Sequence, residues 1–245
     1  MDVQITRGIG HLLKLSLLPL TPLQPHIDPP SPVHGWLLER ALQNMYNDGM
    51  SDAAHFFYSF QSDLFAGLLW ADQGWKNFTH YCHLEHKYRP RAVPEAEGYY
   101  SKGLYHFANN VHKTFFYLGA TLHIIQDMTV PHHAAGVLRD GHQEFERWII
   151  AHWDDLPTAL HGCYRPYQKP SDWIRHSVAL SKPYLPLVSL SKGASETSFS
   201  EAARFLVPLS IRVSAGFLMM AHAELCLTAS PNYASLHAST LSAQA

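Results

Sequence analysis

Apolar residues recur at the spacing of an α-helix along much of this chain. In residues 99–127 they return every third or fourth position, at Leu104, Phe107, Val111, Phe115, Leu118, Leu122 and Ile125. That period places them on one face of a helix. The pattern predicts a single long core helix over residues 99–127, with His123 and Asp127 near its end.

Shorter patterns of the same kind lie on both sides of this stretch. Residues 36–45 show helical periodicity, residues 51–70 are apolar enough for one buried helix, and residues 172–182 predict another. The last helix, over residues 201–225, is apolar on nearly all sides, with a kink predicted at Pro208. We expect it inside a bundle.

Connectors are predicted at residues 84–98, 155–170 and 189–200, the last as a mobile serine-rich loop. No alternating strand pattern and no internal repeat occurs. The prediction is therefore an all-α, single-domain helical bundle over residues 34–227. Residues 1–33 are proline-rich and residues 228–245 form an Ala/Ser-rich, flexible tail.

Composition excludes some classes of function. Hydrophobic residues make up 47% of the chain and charged residues 16%, which is typical of a packed globular protein. The formal net charge of −2 argues against a stable nucleic-acid partner, since such proteins neutralise phosphates with basic residues. No apolar run reaches the length of a membrane span. Residues 7–20 resemble a signal peptide only faintly, because His11 and Lys14 interrupt the apolar region.

Histidine is unusually frequent: the chain has 18 histidines, as many as its lysines and arginines together. Metal binding is one explanation for this excess, and ordinary surface or helix-end histidines are the other. The three cysteines form no CxxC pair, so thiolate zinc is not expected.

The densest group of metal-ligand side chains lies in residues 123–146. His123 and Asp127 are four apart on a predicted helix, so they lie on one face. Pro131 ends that helix and lets His133 approach from another direction. Asp140 and Gly141 then predict a helix start, with Gln143 three residues after Asp140 in the spacing of a capping box. This helix carries His142 and Glu146, again four apart. Imidazole and carboxylate suit a multinuclear zinc site with open positions.

Three further residues could bind a metal, but their local sequence alone does not indicate it. His34 at the entrance of the first helix reads as a capping or surface histidine, Asp72 as an N-cap, and His80 as a loop histidine.

The order His123-x-x-x-Asp127-x-x-x-Pro131-x-His133-Ala134, followed by His142-x-x-x-Glu146, resembles the bacterial zinc-dependent phospholipases C. That family includes the clostridial alpha-toxin catalytic domain and has helical bundles with three zinc ions. The run of residues 116–119, the His34-Gly35-Trp36 helix start, Asp72 and the His80-Tyr81 pair are also similar. The resemblance covers roughly residues 34–226.

The resemblance implies two to three zinc ions per chain. One would be held by Asp72, His80, His123 and Asp127, a second by His133, His142 and Glu146, and a third by His34 together with a bridging Asp127. Asp72 is also implied as the general base. The implied substrate is a phospholipid, met at a membrane surface, with diacylglycerol and a phosphorylated head group as products. Export from the cytoplasm is implied as well.

Some positions depart from the family. Ile124, Gln126, Thr129 and Gly136 stand where its signature has other residues, and none of them is a ligand position. The family's first tryptophan, which binds the third zinc, has no counterpart before Trp36; His26 and Asp28 are candidates to replace it, and weak binding of that zinc is the alternative.

Two other functions stay open from the sequence. A single-strand-specific nuclease shares this fold and metal arrangement, although its last ligand is usually an aspartate after a longer insertion. A non-catalytic zinc-binding bundle would keep the ligands without turnover. Trp75, Phe78 and Tyr81 are candidates for a head-group pocket, and core packing explains them equally well.

Overall fold

A computed structural model describes residues 31–73, 76, 79–82, 92–137, 139–158 and 161–228. Its α-helices are α1 (Val33–Asn47), α2 (Ser51–Tyr58), α3 (Gln61–Asp72), α4 (Ala92–His106), α5 (Val111–Asp127), α6 (Pro131–Ala135), α7 (His142–Ala151), α8 (Pro170–Ser181), α9 (Leu185–Val188) and α10 (Glu196–Thr228). Short 3₁₀ helices lie at Trp153–Asp155, Lys182–Tyr184 and Leu190–Lys192. These residues contain no β-strand, so the all-α prediction is confirmed. Most of the predicted terminal segments, residues 1–30 and 229–245, lies outside the described residues.

The predicted helix over residues 99–127 is in fact two helices. α4 ends at His106, and α5 starts after Asn110, whose side-chain oxygen accepts a hydrogen bond from the Lys113 backbone N–H at 3.0 Å. An asparagine in this position satisfies an N–H that has no partner within the helix. The predicted connector over residues 84–98 was also wrong in part, because α4 already begins at Ala92.

The predicted helix over residues 51–70 is divided as well, at Ser59 and Phe60. Asp72, predicted as an N-cap, is instead the last residue of α3. The serine-rich segment 189–200 is more ordered than predicted, since it holds a 3₁₀ helix and the first residues of α10. The helix that starts at His142 ends at Ala151, and a short 3₁₀ helix follows at Trp153–Asp155.

α3 and α5 cross at two glycines, and this crossing places the candidate site. A Cβ on Gly67 would lie 1.8 Å from the Phe116 carbonyl oxygen, and a Cβ on Gly119 would lie 2.0 Å from the Leu64 carbonyl oxygen. The two backbones are therefore in direct contact. Since the helices meet without side chains between them, Asp72 at the end of α3 comes close to the last turns of α5.

α10 is the central helix of the bundle. It packs against α1, α5, α7, α8 and α9, and it continues without interruption through Pro208. Contrary to the sequence expectation, α10 is long and apolar enough to span a membrane. However, 67% of its most apolar window is buried within the protein, which explains its composition as that of a core helix.

Candidate metal centre

The last turn of α5 presents two buried polar side chains. His123 is 1% exposed and Asp127 is 4% exposed, and His123 Nε2 lies 3.3 Å from Asp127 Oδ2. The chain then turns away, and the Ser181 hydroxyl donates to the Met128 carbonyl at 2.7 Å, which ties this turn to α8. The helical spacing predicted from the sequence thus brings the pair together inside the core.

Asp72 and His80 approach the same pair from the other side. Asp72 Oδ1 lies 3.1 Å from His123 Nε2 and 3.5 Å from His80 Nδ1. His80 Nδ1 is 3.0 Å from Asp127 Oδ2. The Asp72 side chain is 31% exposed whereas His80 is fully buried, so Asp72 forms the solvent side of the group.

His34 completes the group from the first turn of α1. Its Nε2 lies 3.5 Å from Asp127 Oδ1, and its ring lies 4.1 Å from the His123 ring. Its Nδ1 is 2.8 Å from Gln126 Oε1. The surface position considered for His34 from the sequence is therefore wrong, because the side chain is only 14% exposed and faces this group.

These side chains form two overlapping sets of candidate ligands. In each of the sets His34, His123, Asp127 and Asp72, His80, His123, the potential ligand atoms all lie within 4.8 Å of one another. His123 belongs to both.

Burial makes this arrangement costly without a further partner. Both ring nitrogens of His80 and of His123, and Oδ2 of Asp127, are buried with no hydrogen-bond partner. These atoms lie close to one another, but their geometry is not that of hydrogen bonds. A buried polar atom without a partner costs about 1–3 kcal/mol. Imidazole nitrogens and carboxylate oxygens converging in this way fit zinc, which would supply the missing partner.

The charges of the group oppose the effect of burial. Burial alone would lower the pKa of His123, but the carboxylates of Asp127 and Asp72 raise it well above its usual value. Burial alone would raise the pKa of Asp127, but His123 and His133 hold it well below the ordinary range. Asp127 is therefore a carboxylate at neutral pH, which is the form that binds a metal.

His133 and His142 adjoin this group. His133 Nδ1 donates to the His80 carbonyl at 2.9 Å, which leaves its Nε2 as the potential ligand atom. The His133 and His142 rings are 4.8 Å apart. Burial, together with the neighbouring His142, lowers the pKa of His133 to about 4, so it is neutral at neutral pH.

Glu146 lies one turn after His142 on α7 and is half-buried. Among the described residues, His133, His142 and Glu146 do not gather three ligand atoms within 4.8 Å. The structure thus brings His133 next to His142 without completing this predicted set.

The capping box predicted at the start of α7 was wrong. Gly141 is the residue that precedes the helix, with φ 99° and no side-chain hydrogen bond. The Asp140 carboxylate instead accepts hydrogen bonds from the Ser189 hydroxyl at 2.6 Å and from the Ser191 backbone N–H at 2.8 Å. The start of the helix that carries His142 is therefore held by the segment before α10.

Gln126 and His132 are near the site and were not singled out as functional from the sequence. The Gln126 side chain contacts His34, and the fully buried His132 has Nε2 3.0 Å from the Asp140 carbonyl oxygen. The one feature of the sequence that sets these two residues apart is a polar side chain at a core position. Of the predicted head-group aromatics, Tyr81 stacks on His133 at 4.6 Å; Trp75 and Phe78 lie outside the described residues.

Residues 33–186 match the protein family described as zinc dependent phospholipase C. The fold is similar to that of the Clostridium perfringens alpha-toxin from an avian strain, with a TM-score of 0.65 and 16% identity, and to that of the alpha toxin from Clostridium absonum, with a TM-score of 0.66 and 16% identity. Each match covers 79% of this chain and 63% of the toxin chain. No curated protein sequence matches the chain.

Proposed function

Because the chain belongs to the zinc-dependent phospholipase C family, we propose that it hydrolyses the phosphodiester bond of a phospholipid. The products are diacylglycerol and the phosphorylated head group. One observation carries the proposal: two sets of His and Asp side chains share His123 and leave buried ring nitrogens without partners. A lipid substrate places the working enzyme at a membrane surface.

The proposed ligands follow the grouping of the side chains. One zinc is held by Asp72, His80, His123 and Asp127, and another by His34 and the bridging Asp127. A further zinc is held by His133, His142 and Glu146, which is supported by the contact between the His133 and His142 rings. This assignment gives two to three zinc ions per chain.

Bound zinc polarises phosphoryl oxygens and lowers the pKa of a bound water towards neutrality. The protein side chains hold the geometry around this chemistry. Burial would raise the pKa of Asp72, but His123 and His80 keep it well below its usual range, so the side chain is a carboxylate at neutral pH. It is also partly exposed, which lets water reach it. Asp72 is therefore proposed to accept the proton of the attacking water as well as to bind metal.

Elemental analysis and activity assays test this proposal together. We expect at least two zinc ions per chain in protein purified without chelator and reconstituted at neutral pH, where zinc can displace protons from its histidine ligands. We also expect hydrolysis of phosphatidylcholine vesicles, with Asp127→Asn as the matched inactive variant. Less than one zinc per chain contradicts the metal centre. Cleavage of single-stranded DNA but not of lipid favours the nuclease, and bound zinc without either activity favours a non-catalytic bundle.

His142→Ala tests the zinc assigned to His133, His142 and Glu146. We expect this variant to lose one zinc and most of its activity while it stays folded, because Phe145 and Ile149 pack α7 into the core and alanine favours helix. Zinc content and circular dichroism measure the two effects. Parent-like zinc content and activity would remove His142 from the ligand set.

A further inference from the structure

The Gln126 side chain connects two distant helices beside the candidate metal centre. It is 1% exposed, in the last turn of α5. Its Oε1 lies 2.8 Å from His34 Nδ1 on α1, and its Nε2 donates to the Ser214 hydroxyl on α10 at 3.1 Å. Both polar atoms of the Gln126 amide are therefore hydrogen-bonded. Gln126 itself is not a candidate metal ligand.

The orientation of this amide decides which nitrogen of His34 carries the proton. Oε1 only accepts hydrogen bonds, so His34 Nδ1 must be protonated to donate to it. In a neutral imidazole the proton is then absent from Nε2. Nε2 is the atom that faces Asp127 Oδ1, at 3.5 Å. A lone pair is thus directed at the place where the proposed metal is bound.

The other contacts of His34 do not select this tautomer. Its ring lies against the His123 ring at 4.1 Å with a tilt of 32°, a contact that does not depend on which nitrogen is protonated. Asp127 would favour the opposite tautomer, because a carboxylate close to Nε2 attracts a proton there. The Gln126 amide opposes that preference, and its Nε2 is hydrogen-bonded to the Ser214 hydroxyl.

We propose that Gln126 is a positioning residue that holds His34 as the Nδ1-protonated tautomer and thereby prepares Nε2 to bind zinc. This inference rests on the proposed metal centre. It assigns α10 a role in that centre, since Ser214, which is fully buried on α10, accepts the second hydrogen bond of the amide. A metal-bound histidine commonly donates its second N–H to such a partner, and removing the partner typically weakens metal binding about 10–100-fold.

Three variants separate the parts of this arrangement. Gln126→Met keeps the size of the side chain but removes both hydrogen bonds. Ser214→Ala removes only the hydrogen bond that Nε2 of the amide donates to the Ser214 hydroxyl. Gln126→Glu keeps an acceptor for His34 Nδ1. Thr121→Val is the matched control, because Thr121 is also buried on α5 but its hydroxyl donates to the Tyr117 carbonyl.

Competition with a chromophoric chelator measures zinc affinity, and ¹⁵N NMR of the histidine rings reports the tautomer of His34. His34→Ala identifies the signals of His34 by their loss. For the most weakly held zinc, we expect Gln126→Met to raise the dissociation constant about 10–100-fold. We expect a smaller rise in Ser214→Ala and near-parent affinity in Gln126→Glu and Thr121→Val. In Gln126→Met the proton of His34 should shift towards Nε2.

Two results would overturn the inference. One is an Nε2-protonated His34 in the zinc-free parent protein, and the other is a zinc affinity of Gln126→Met equal to that of Thr121→Val. Neither result depends on lipid hydrolysis. If the parent binds no zinc, the metal centre fails, and the tautomer of His34 in parent and Gln126→Met still decides whether Gln126 positions His34.

Discussion

At the scale of single residues, the Asp127 carboxylate lies close to three of the candidate histidine ligands. Its carboxylate oxygens lie 3.0 Å from His80, 3.3 Å from His123 and 3.5 Å from His34. It is the last residue of α5, where the helix dipole disfavours a negative charge. A buried carboxylate in that position needs positive charge nearby, which the proposed zinc ions would provide.

We therefore expect Asp127→Asn to be more damaging than His34→Ala. The first variant would remove a charge that faces the two proposed zinc ions, and the second would remove a proposed ligand of one zinc. The two variants are compared by their zinc content, rate of lipid hydrolysis and thermal midpoint. Asp63→Asn is the matched control, because Asp63 pairs with the exposed His112 on the surface of α3. An Asp127→Asn variant with the zinc content and activity of the parent would refute the bridging role.

Asp48 is a second residue whose charge holds distant segments together. Located just after α1, it accepts hydrogen bonds from the Gly162 backbone N–H at 2.7 Å and from the Tyr164 hydroxyl at 2.6 Å. Burial acts to raise its pKa, but these hydrogen bonds and His161 lower it below the usual value. A carboxyl group with a lowered pKa stabilises the folded state above its unfolded pKa, and this contribution is lost as the pH falls through the folded pKa.

Asp48→Asn should therefore lower the free energy of unfolding by about 1–3 kcal/mol at pH 7, because the charge-assisted hydrogen bonds are weakened. The difference from the parent should shrink as the pH falls below 5 and through the lowered pKa that Asp48 has in the folded state. Urea unfolding at several pH values measures it. Asp154→Asn, at an exposed position, is the control with little expected effect. A difference that is the same at pH 7 and pH 3 would contradict the assigned role of the Asp48 charge.

At the scale of secondary structure, the crossing of α3 and α5 sets the position of Asp72 relative to His123. Gly67 and Gly119 allow the two backbones to touch, and the side chains at the ends of the helices come within 3.1 Å. A larger residue at either glycine would push the helices apart. The candidate ligands would then separate, although the substitution lies several residues away from them.

Gly119→Ala should therefore lower the free energy of unfolding by about 1–3 kcal/mol and also lower the zinc content. Gly98→Ala is the matched control, since Gly98 is an exposed position within α4 and a Cβ there would meet nothing within 4 Å. It should raise stability by about 0.4–1 kcal/mol, because alanine restricts the unfolded chain. Denaturant unfolding checks both, and a Gly119→Ala variant at least as stable as the parent would rule out the close backbone contact.

At the scale of the whole molecule, the candidate ligands come from distant parts of the chain. His34 lies on α1, Asp72 on α3, His80 before α4, and His123 and Asp127 on α5. Zinc bound among them would connect these elements in the folded state only. Metal binding would then contribute directly to folding stability.

Removing zinc with a chelator should therefore lower the thermal midpoint. Free zinc at about 100 times its dissociation constant stabilises the folded state by about 2.7 kcal/mol, which corresponds to roughly 5–10 °C for a domain of this size. Scanning calorimetry before chelation, after chelation and after zinc is restored measures the change. Asp127→Asn should show a much smaller response to zinc. No change of midpoint in the parent would contradict a metal that connects the helices.

The sequence by itself determined the helical class of the protein and the local pairing of His123 with Asp127. Both depend on side chains three or four positions apart, and that spacing is readable without tertiary contacts. Its resemblance to the zinc-dependent phospholipases C also indicated His34, Asp72 and His80, whose role as ligands stays a prediction. The breaks at Ser59–Phe60 and Phe107–Asn110 were missed, because apolar periodicity continues across both.

Only the tertiary structure decided which side chains surround the candidate ligands. Gln126 was a position without an assigned role until the fold brought it to His34, 92 residues away, and to Ser214, 88 residues away. Asp140 was expected to cap its own helix and instead binds Ser189, because Gly141 precedes the helix and the segment before α10 lies within hydrogen-bonding distance. Such partners depend on how helices cross, and hydrophobic periodicity along one chain carries no information about the crossing.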